Sequence, residues 1–370
     1  MSEQRIVIST RTILLIVVTS LLLVLLWQLS SLIVILMIAI VLAATLAPII
    51  ERAERLNIPR WLAVLLVYLS LLAVLMLLGL SLGPTVIDQI ERLLKRLPTY
   101  LEVLQSLIDS LATRLGIIEP RVSQFFDPQT LTSWAIGSSQ ELVVRSYGVT
   151  RGFVGGVISL ILAFVLSGYM LSGSNNLIKG LVSLFPKPWD ERLAAQVKPM
   201  SRRMGSYIQG RLLVSVILGI AISIGLLFLG ISEFALGLGA IAGVTDLIPF
   251  FGPILGAIPA LIVALAQGGW TFFWVLLLFA IVQNLETYVL DPLLVGSSVR
   301  VHPLYQLLAV VGGAQVLGII GALIVPPWIA GASVLLENLY LQPKRLAEQE
   351  AVAIASDYEQ EVPDALSVKG

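Results

Sequence analysis

Residues 12–50 are TILLIVVTSLLLVLLWQLSSLIVILMIAIVLAATLAPII, an apolar run without a charged side chain. A membrane-spanning helix needs about 20 apolar residues, so this run is long enough for two crossings. It is also far longer than the roughly 7–15 apolar residues of a signal peptide. The chain is 57% hydrophobic and 12% charged, with a mean hydropathy of +0.95, whereas soluble domains carry about 25% charged residues. We therefore predict an all-α, polytopic integral membrane bundle.

The only candidate turn in this run is the polar interruption Gln28-Leu29-Ser30-Ser31, which we interpret as the turn of a helical hairpin. Lys and Arg concentrate on the cytoplasmic side of membrane helices, and two crossings would place both flanking basic groups there. These groups are Arg5 and Arg11 before the run, and Arg52, Arg55 and Arg60 after it. We accordingly expect both chain termini to be cytoplasmic.

Changes in composition divide the rest of the chain. A third membrane helix, from about Trp61 to Leu82, is expected to end at the helix-breaking pair Gly83-Pro84. The predicted parts are three membrane helices in 1–82, an extramembrane amphipathic helical segment in 83–151, a fourth membrane helix in 152–172, a basic cytoplasmic segment in 173–210, a membrane core of broken helices in 211–341 and a polar tail in 342–370. About eight membrane segments result. The sequence leaves open whether the runs 12–50, 234–266 and 303–340 are single crossings, hairpins or re-entrant segments.

Apolar residues of the extramembrane segment recur at alternating spacings of three and four, the pattern of a coiled-coil seam. Pro98 lies inside the pattern and is expected to kink or split the helix. The seam would pack against this chain, for example against 128–151, or against the membrane surface, or it would mediate self-association. These alternatives stay open. The seam positions are Ile87, Ile90, Leu94, Leu97, Leu101, Leu104, Ile108, Leu111 and Leu115.

The stretch GVTDLIPFFGPILGAIP, residues 243–259, places three prolines and three glycines around Asp246. Proline frees a helix carbonyl, and freed backbone groups at membrane depth require protein or a water-filled cavity to satisfy them. Broken helices of this kind are typical of transporter binding sites. The alternative is a loop between two short helices that pack through small residues. The glycine pairs with suitable spacing are Gly239 with Gly243, and Gly252 with Gly256.

A second polar group follows, in which Gln283 and Glu286 are three residues apart and share a helix face. Glu286 would lie either inside the bundle or near the membrane interface. Asp246, Glu286 and Asp291 are the only acids in residues 234–336, so coupling to protons or cations would have to draw on them.

His302 is the single histidine, and a histidine beside Pro303 at a helix start is more often a cap or an interface residue than a proton relay. It completes the set of candidate pathway residues. The set is Asp246, Pro249, Gly252, Pro253, Gly256, Pro259, Gln283, Asn284, Glu286, Asp291, Pro292, His302, Gly318, Gly321 and Pro326.

Several classes of protein are disfavoured by composition. The chain has no cysteine, one histidine and a formal net charge of +0, so we expect no metal, no cofactor and no nucleic-acid partner. There is no phosphate-binding P-loop. An intramembrane protease would need a Gly-x-Gly-Asp or Gly-x-Ser-x-Gly setting, and neither is present. We do not expect an enzyme.

The motifs of the C-terminal half resemble, in order, those of the autoinducer-2 exporter-like (AI-2E) permease family. They are Pro249-Phe250-Phe251-Gly252-Pro253 with Gly256 and Pro259, Gln283-Asn284-Leu285-Glu286 with Pro292, His302-Pro303-Leu304, and Gly318-Ile319-Ile320-Gly321-Ala322 with Pro326. The N-terminal half is similar in layout more than in motif. The resemblance implies a homo-oligomeric permease, which we place in the plasma (inner) membrane of a prokaryote.

Members of that family are associated with export of autoinducer-2, and others with sodium(lithium)/proton antiport. The expected function is therefore a secondary permease for a small polar solute, with cation/proton antiport as the alternative. A membrane scaffold assembled through the seam is an alternative of another class. The substrate, the coupling ion and the direction of transport stay open.

Overall fold

The computed structural model describes residues 10–115, 146–296 and 302–353, and among these it contains helices and no strand. The helices are α1 Thr10–Gln28, α2 Ser30–Glu54, α3 Arg60–Leu115, α4 Ser146–Ser172, α5 Ser174–Val182, α6 Trp189–Phe228, α7 Ala235–Asp246, α8 Gly252–Gln267, α9 Gly269–Leu285 and α10 Pro303–Leu336. A π-helical segment, Glu286–Gly296, follows α9, and a shorter one, Glu337–Leu341, follows α10. Within the described ranges, seven helices are long and apolar enough to cross a membrane, and α7 and α8 are shorter apolar helices. The prediction of a polytopic helical membrane bundle is confirmed.

The predicted hairpin at Gln28-Leu29-Ser30-Ser31 is wrong. Leu29 is the only residue between α1 and α2, and helix-type bonds cross it, from its own N–H to Leu25 and from the N–H of Ile33 back to it. Polar side chains alone do not break a helix, and neither Gly nor Pro is present there. The chain therefore does not reverse at Leu29, and the cytoplasmic position expected for the N-terminus loses its support.

The third membrane helix does not end at Gly83-Pro84 as expected, because α3 continues through Pro84 and Pro98 for 56 residues. A proline inside a helix removes one hydrogen bond without requiring the chain to stop. At about 1.5 Å per residue, α3 is about 84 Å long and extends well beyond a hydrocarbon core of about 30 Å. Its C-terminal half forms most of the described part of the predicted extramembrane segment, and the start of α4 forms the rest.

That half of α3 packs against α7 and α8 of the same chain. Leu93 is 6% exposed in the main core, and the side-chain oxygen of Gln89 accepts a 2.7 Å hydrogen bond from the Gly237 N–H. Two seam residues face outward, because Ile87 is 66% and Leu94 is 56% exposed. The side chains of Ile108, Leu111 and Leu115 and most of 128–151 lie outside the described residues.

The boundary predicted between residues 210 and 211 lies inside α6, a 40-residue helix that continues from the basic segment into the membrane core. The predicted fourth membrane helix begins earlier than expected, at Ser146. Helix also continues past residue 342 and includes Ala353, the last described residue. Helix α6 contacts α2, α5, α7, α9 and α10 and is the central element of the bundle.

Helices α7 and α8 form an antiparallel hairpin. Gly252 lies against Asp246, and Gly256 lies against Ala242, so the two helices separate only at the turn 247–251. The turn contains Phe250 at φ 68, a backbone conformation rare outside glycine. Each helix is shorter than the membrane is thick, at about 18 and 24 Å.

Helix α10 also folds back on itself. Gly318 leaves the helical region at φ 64 and ψ −150, and Gly313 and Gly321 approach each other across this bend. The run 303–340 is therefore a hairpin with arms 303–317 and 319–336, one of the alternatives that the sequence left open.

The two hairpins lie against α6 from opposite ends. In the first, Gly239 contacts Ser223 and Gly243 contacts Ser215, so α7 approaches from the C-terminal end of α6. In the second, Gly331 of α10 contacts Met204, which lies in the N-terminal half of α6. Both hairpins thus point toward the middle of the bundle.

Candidate functional site

The centre of the bundle contains an ion-pair cluster around Arg211 of α6. Its Nη1 donates to Glu286 Oε1 across 2.8 Å, and its Nη2 donates to Asp246 Oδ1 across 2.9 Å. Arg211 is 5%, Asp246 2% and Glu286 3% exposed. One guanidinium therefore joins three segments that are distant in sequence, namely α6, the end of α7 and the start of the π-helical segment.

Arg211 lies inside the bundle, at the start of the apolar stretch of α6. Arg202, on the same helix, lies near Glu51 at the end of α2, where the chain leaves the apolar region. At about 1.5 Å per residue, Arg211 is about 14 Å from Arg202 and about 26 Å from Phe228, the last residue of α6. Ionised side chains at such depth are costly, and in membrane proteins they line binding sites or ion paths.

Two neutral side chains complete the hydrogen bonding of the acids. The hydroxyl of Ser215, one turn after Arg211, donates to Asp246 Oδ2 across 3.0 Å. The amide nitrogen of Gln283 donates to Glu286 Oε2 across 3.0 Å. Each buried carboxylate therefore has a separate donor on each of its two oxygens, as a charge at this depth requires.

A cavity of about 20 Å³ lies beside these carboxylates. Asp246, Gln283 and Glu286 supply its polar wall, and Pro253 and Phe279 are among its apolar lining. A volume of this size holds about one water molecule. The predicted site residues Asp246, Pro253, Gln283 and Glu286 are thus brought together around one small cavity.

The charges of the cluster do not balance. With both buried acids ionised, Arg211, Asp246 and Glu286 together carry a charge of −1. Asp291 Oδ1 lies 3.6 Å from Arg211 Nη1 and adds another negative charge, although its side chain is 42% exposed. Since an uncompensated charge in an apolar interior costs several kcal/mol, the cluster favours uptake of a proton or a cation.

The cluster also has two buried polar atoms without a hydrogen-bond partner among the described residues, Arg211 Nε and Asp291 Oδ1. Such atoms are rare in protein interiors and concentrate at functional sites. Asp291, partly exposed and in contact with Arg211, lies at the edge of the cluster.

The hairpin that carries Asp246 is held by small residues. A Cβ on Gly243 would lie 2.9 Å from the Ser215 carbonyl, and one on Gly256 would lie 2.7 Å from the Ala242 Cα. Gly252 and Asp246 are also in close contact. The small-residue packing that the sequence offered as an alternative is therefore present, and it is what brings Asp246 to Arg211.

Other predicted pathway residues lie apart from the cluster. Asn284 is exposed, and its amide donates to the Ala280 carbonyl across 2.7 Å. His302 caps α10, where its Nδ1 accepts from the Leu304 N–H across 3.2 Å, which agrees with the capping alternative. The remaining members are structural parts of the hairpins or of the π-helical segment, namely Pro249, Pro259, Pro292, Gly318, Gly321 and Pro326.

Sequence reasoning missed Arg211 and Ser215. From the sequence alone, Arg211 lies at the boundary between the basic cytoplasmic segment and the membrane core. A signal was available, because three acids inside apolar runs require a cation, and Arg211 begins an apolar stretch that continues to residue 230. Ser215 gives no comparable signal.

Among the described residues, no group of three or more His, Cys, Asp or Glu is arranged to hold a metal ion. The cluster offers one guanidinium for an anionic or carbonyl oxygen and two carboxylates for a cation or a proton. This chemistry is suited to binding and release of a small polar species.

Comparison with known proteins agrees with these features. The model of the AI-2E family transporter matches residues 14–341. Two proteins of Bacillus subtilis, named "Putative transport protein YueF" and "Putative transport protein YrrI", are similar over most of their length. YueF is 29% identical, and the match covers 78% of this chain and 79% of YueF. YrrI is 26% identical, and the match covers 81% of this chain and 84% of YrrI. A Mycobacterium tuberculosis protein, "Putative transport protein MT0215", is 26% identical over 79% of each chain.

Proposed function

Because the chain belongs to the AI-2E family of transporters, we propose that it is a secondary permease whose transport site is the Arg211–Asp246–Glu286 cluster. The observation that carries the proposal is the buried, charge-imbalanced cluster formed where the α7–α8 hairpin contacts α6. Broken helices that place polar groups at the bilayer midplane are a recurring design of secondary transporters.

The proposed cargo is a small polar solute, and autoinducer-2-like molecules exported from the cell are one such class. The guanidinium of Arg211 would donate to a hydroxyl or carbonyl oxygen of the solute, and the carboxylates would accept hydrogen bonds from the hydroxyl groups of the solute. The cavity beside the cluster is too small for such a solute, so transport requires the α7–α8 hairpin to move relative to α6.

Sodium(lithium)/proton antiport is a second candidate, and the charge balance of the site favours it. Two buried carboxylates share one guanidinium, and the adjacent cavity is large enough for one water-sized species. In an antiporter, a proton and an alkali cation would occupy these carboxylates alternately, because each neutralises the excess charge.

Flux measurements on the purified protein in proteoliposomes would separate these candidates. Uptake of autoinducer-2, uptake of sodium and a sodium-driven change of internal pH are compared side by side with protein-free vesicles. Uptake of autoinducer-2 without a pH change supports the solute permease. A sodium-driven pH change without autoinducer-2 uptake supports the antiporter. No flux of any of the three would favour the scaffold alternative and contradict the proposal.

The proposal extends to location and assembly. The membrane would be the plasma membrane of a prokaryote, with the basic end of the bundle, near Arg60, Lys198 and Arg202, in the cytoplasm. The exposed seam residues Ile87 and Leu94 would mediate homo-oligomerisation, because they form an outward apolar stripe on the extramembrane part of α3.

A further inference from the structure

A second, larger cavity lies at the basic end of the bundle. We name it the basal groove: it has a volume of about 560 Å³ and lies between α2, α4, α5 and the N-terminal half of α6. Most of its wall is apolar, including Ala43 and Ala47 of α2, Leu177 and Leu181 of α5, and Val197 of α6. A small polar solute would find few partners in such a wall, whereas a hydrocarbon chain would bury apolar surface there at about 0.8 kcal/mol per methylene group.

The rim of the basal groove is positively charged. Lys198 and Arg202 share a single acid, Glu51, at 3.7 and 3.9 Å, and their side chains are 64% and 63% exposed. All three residues line the groove. Lys198, Arg202 and Glu51 together carry a charge of +1, which one phosphate group would balance.

A further rim residue, Arg60, is already neutralised and serves the structure. Its guanidinium donates to Glu54 at 3.2 Å, to the Leu171 carbonyl at 2.7 Å and to the Ser174 hydroxyl at 3.0 Å. It thereby joins the start of α3 to the end of α4 and fixes one side of the groove. The charge available to a ligand is consequently that of Lys198 and Arg202.

The rim lies at the level where helices leave the membrane. Glu51 is in the last turn of α2, and Ser174, two residues after the end of α4, is the first residue of α5. Helix α5 is amphipathic, and Leu181 in its last turn is 63% exposed. Leu184 and Phe185, just after α5, are 78% and 51% exposed. Exposed apolar residues beside basic ones at this level are typical of a segment that lies in the head-group region.

From this combination we propose that the basal groove binds one anionic phospholipid of the adjacent leaflet. Its phosphate would lie between Lys198 and Arg202, and an acyl chain would lie along Ala43, Ala47 and Leu177. Basic pockets between membrane helices with an apolar interior bind lipids of this class. The lipid would join α2 to α5 and to the N-terminal half of α6. This part of α6 precedes Arg211, the residue of α6 in the transport cluster.

Native mass spectrometry of the delipidated full-length protein tests the proposal. Phosphatidylglycerol and phosphatidylcholine with the same acyl chains are titrated separately. We expect one phosphatidylglycerol per chain, with an affinity roughly tenfold above that of phosphatidylcholine. The double variant K198Q/R202Q should lose this preference, whereas E51Q, which removes the competing acid, should strengthen phosphatidylglycerol binding several-fold.

The matched control is R92Q/K95Q. It removes two similarly exposed basic residues of α3 that pair with Asp88 and Glu91, away from the groove. It should leave lipid binding unchanged. Equal affinity for the two lipids, an equal loss in R92Q/K95Q, or weaker phosphatidylglycerol binding in E51Q would overturn the proposal.

The variant A47F distinguishes a lipid from a transported solute in the groove. A phenylalanine at this position would fill apolar space and should reduce the occupancy of both lipids. If A47F instead abolished solute flux while phosphatidylglycerol occupancy stayed at the wild-type level, the groove would belong to the transport path and the lipid assignment would be wrong. Failure of transport in every variant and in wild type would refute the proposed function without affecting the lipid result.

Discussion

Arg211 and Glu286 are 75 positions apart, yet Nη1 of the arginine donates to Oε1 of the glutamate across 2.8 Å, with both side chains almost fully buried. Asp246 contacts the same guanidinium from the tip of the α7–α8 hairpin. The position of the hairpin relative to α6 and the ionisation of the cluster are therefore linked. A proton, cation or solute that alters one of these contacts changes how strongly the hairpin is held.

Removing the shared cation should destabilise the protein strongly. The variant R211M leaves two buried acids without a counterion, and breaking a buried pair in this way typically costs about 3–5 kcal/mol. We expect a clear fall in the thermal unfolding temperature in detergent. The triple variant R211M/D246N/E286Q should recover much of the loss, because it also removes the uncompensated charge. An unchanged unfolding temperature in R211M would contradict the assigned ion pairs.

The close contact between α7 and α6 should tolerate no added methyl group at Gly243. A Cβ there would lie 2.9 Å from the Ser215 carbonyl, so G243A should cost about 1–3 kcal/mol through overpacking. Gly155 on α4 is the control, since a Cβ there would contact nothing within 4 Å. G155A should be neutral or slightly stabilising, and equal unfolding temperatures for the two variants would rule out the packing described.

The bend in α10 should depend on the backbone of Gly318. Its φ of 64 and ψ of −150 belong to a region that is essentially restricted to glycine, so G318A should cost about 1–3 kcal/mol. A Cβ at Gly318 meets nothing within 4 Å, so the effect would come from the backbone alone. Gly312, equally open but helical, is the control. Limited proteolysis and thermal unfolding should distinguish G318A from G312A, and identical behaviour would argue against the hairpin.

Self-association through α3 should be sensitive to charge on the outward stripe. We expect the double variant I87E/L94E to reduce the cross-linked oligomer of the purified protein, because two exposed apolar residues would become mutually repelling acids. The control E91Q changes an exposed residue of the same helix that lies outside the seam pattern. An unchanged oligomer in I87E/L94E would show that this stripe is not the interface.

Much of the fold could be predicted from the sequence, because lipid imposes simple rules. Apolar runs had to be helices, and the prolines and glycines of residues 243–259 had to interrupt one of them. The structure has this interruption at the turn between α7 and α8. At Leu29 and at Pro84, however, the helix continues, because a polar pair or a single lost hydrogen bond does not decide where a chain turns.

The candidate site could be predicted only in part. The acids Asp246 and Glu286 stood out because a carboxylate in an apolar run is rare, and the structure brings them together with Gln283. Arg211 was missed because local sequence cannot show which of several basic residues turns inward. That choice depends on the crossing of α6 with α7 and the π-helical segment, which is a property of the packed bundle.

The most direct test of the central claim is the rate of solute or ion flux in proteoliposomes for D246N and E286Q. The control is E233Q, an acid paired with Arg96 on the exposed side of the bundle. We predict that each cluster variant loses at least tenfold in rate while it remains folded, and that E233Q keeps the wild-type rate. Wild-type flux in both D246N and E286Q would contradict the assignment of the transport site.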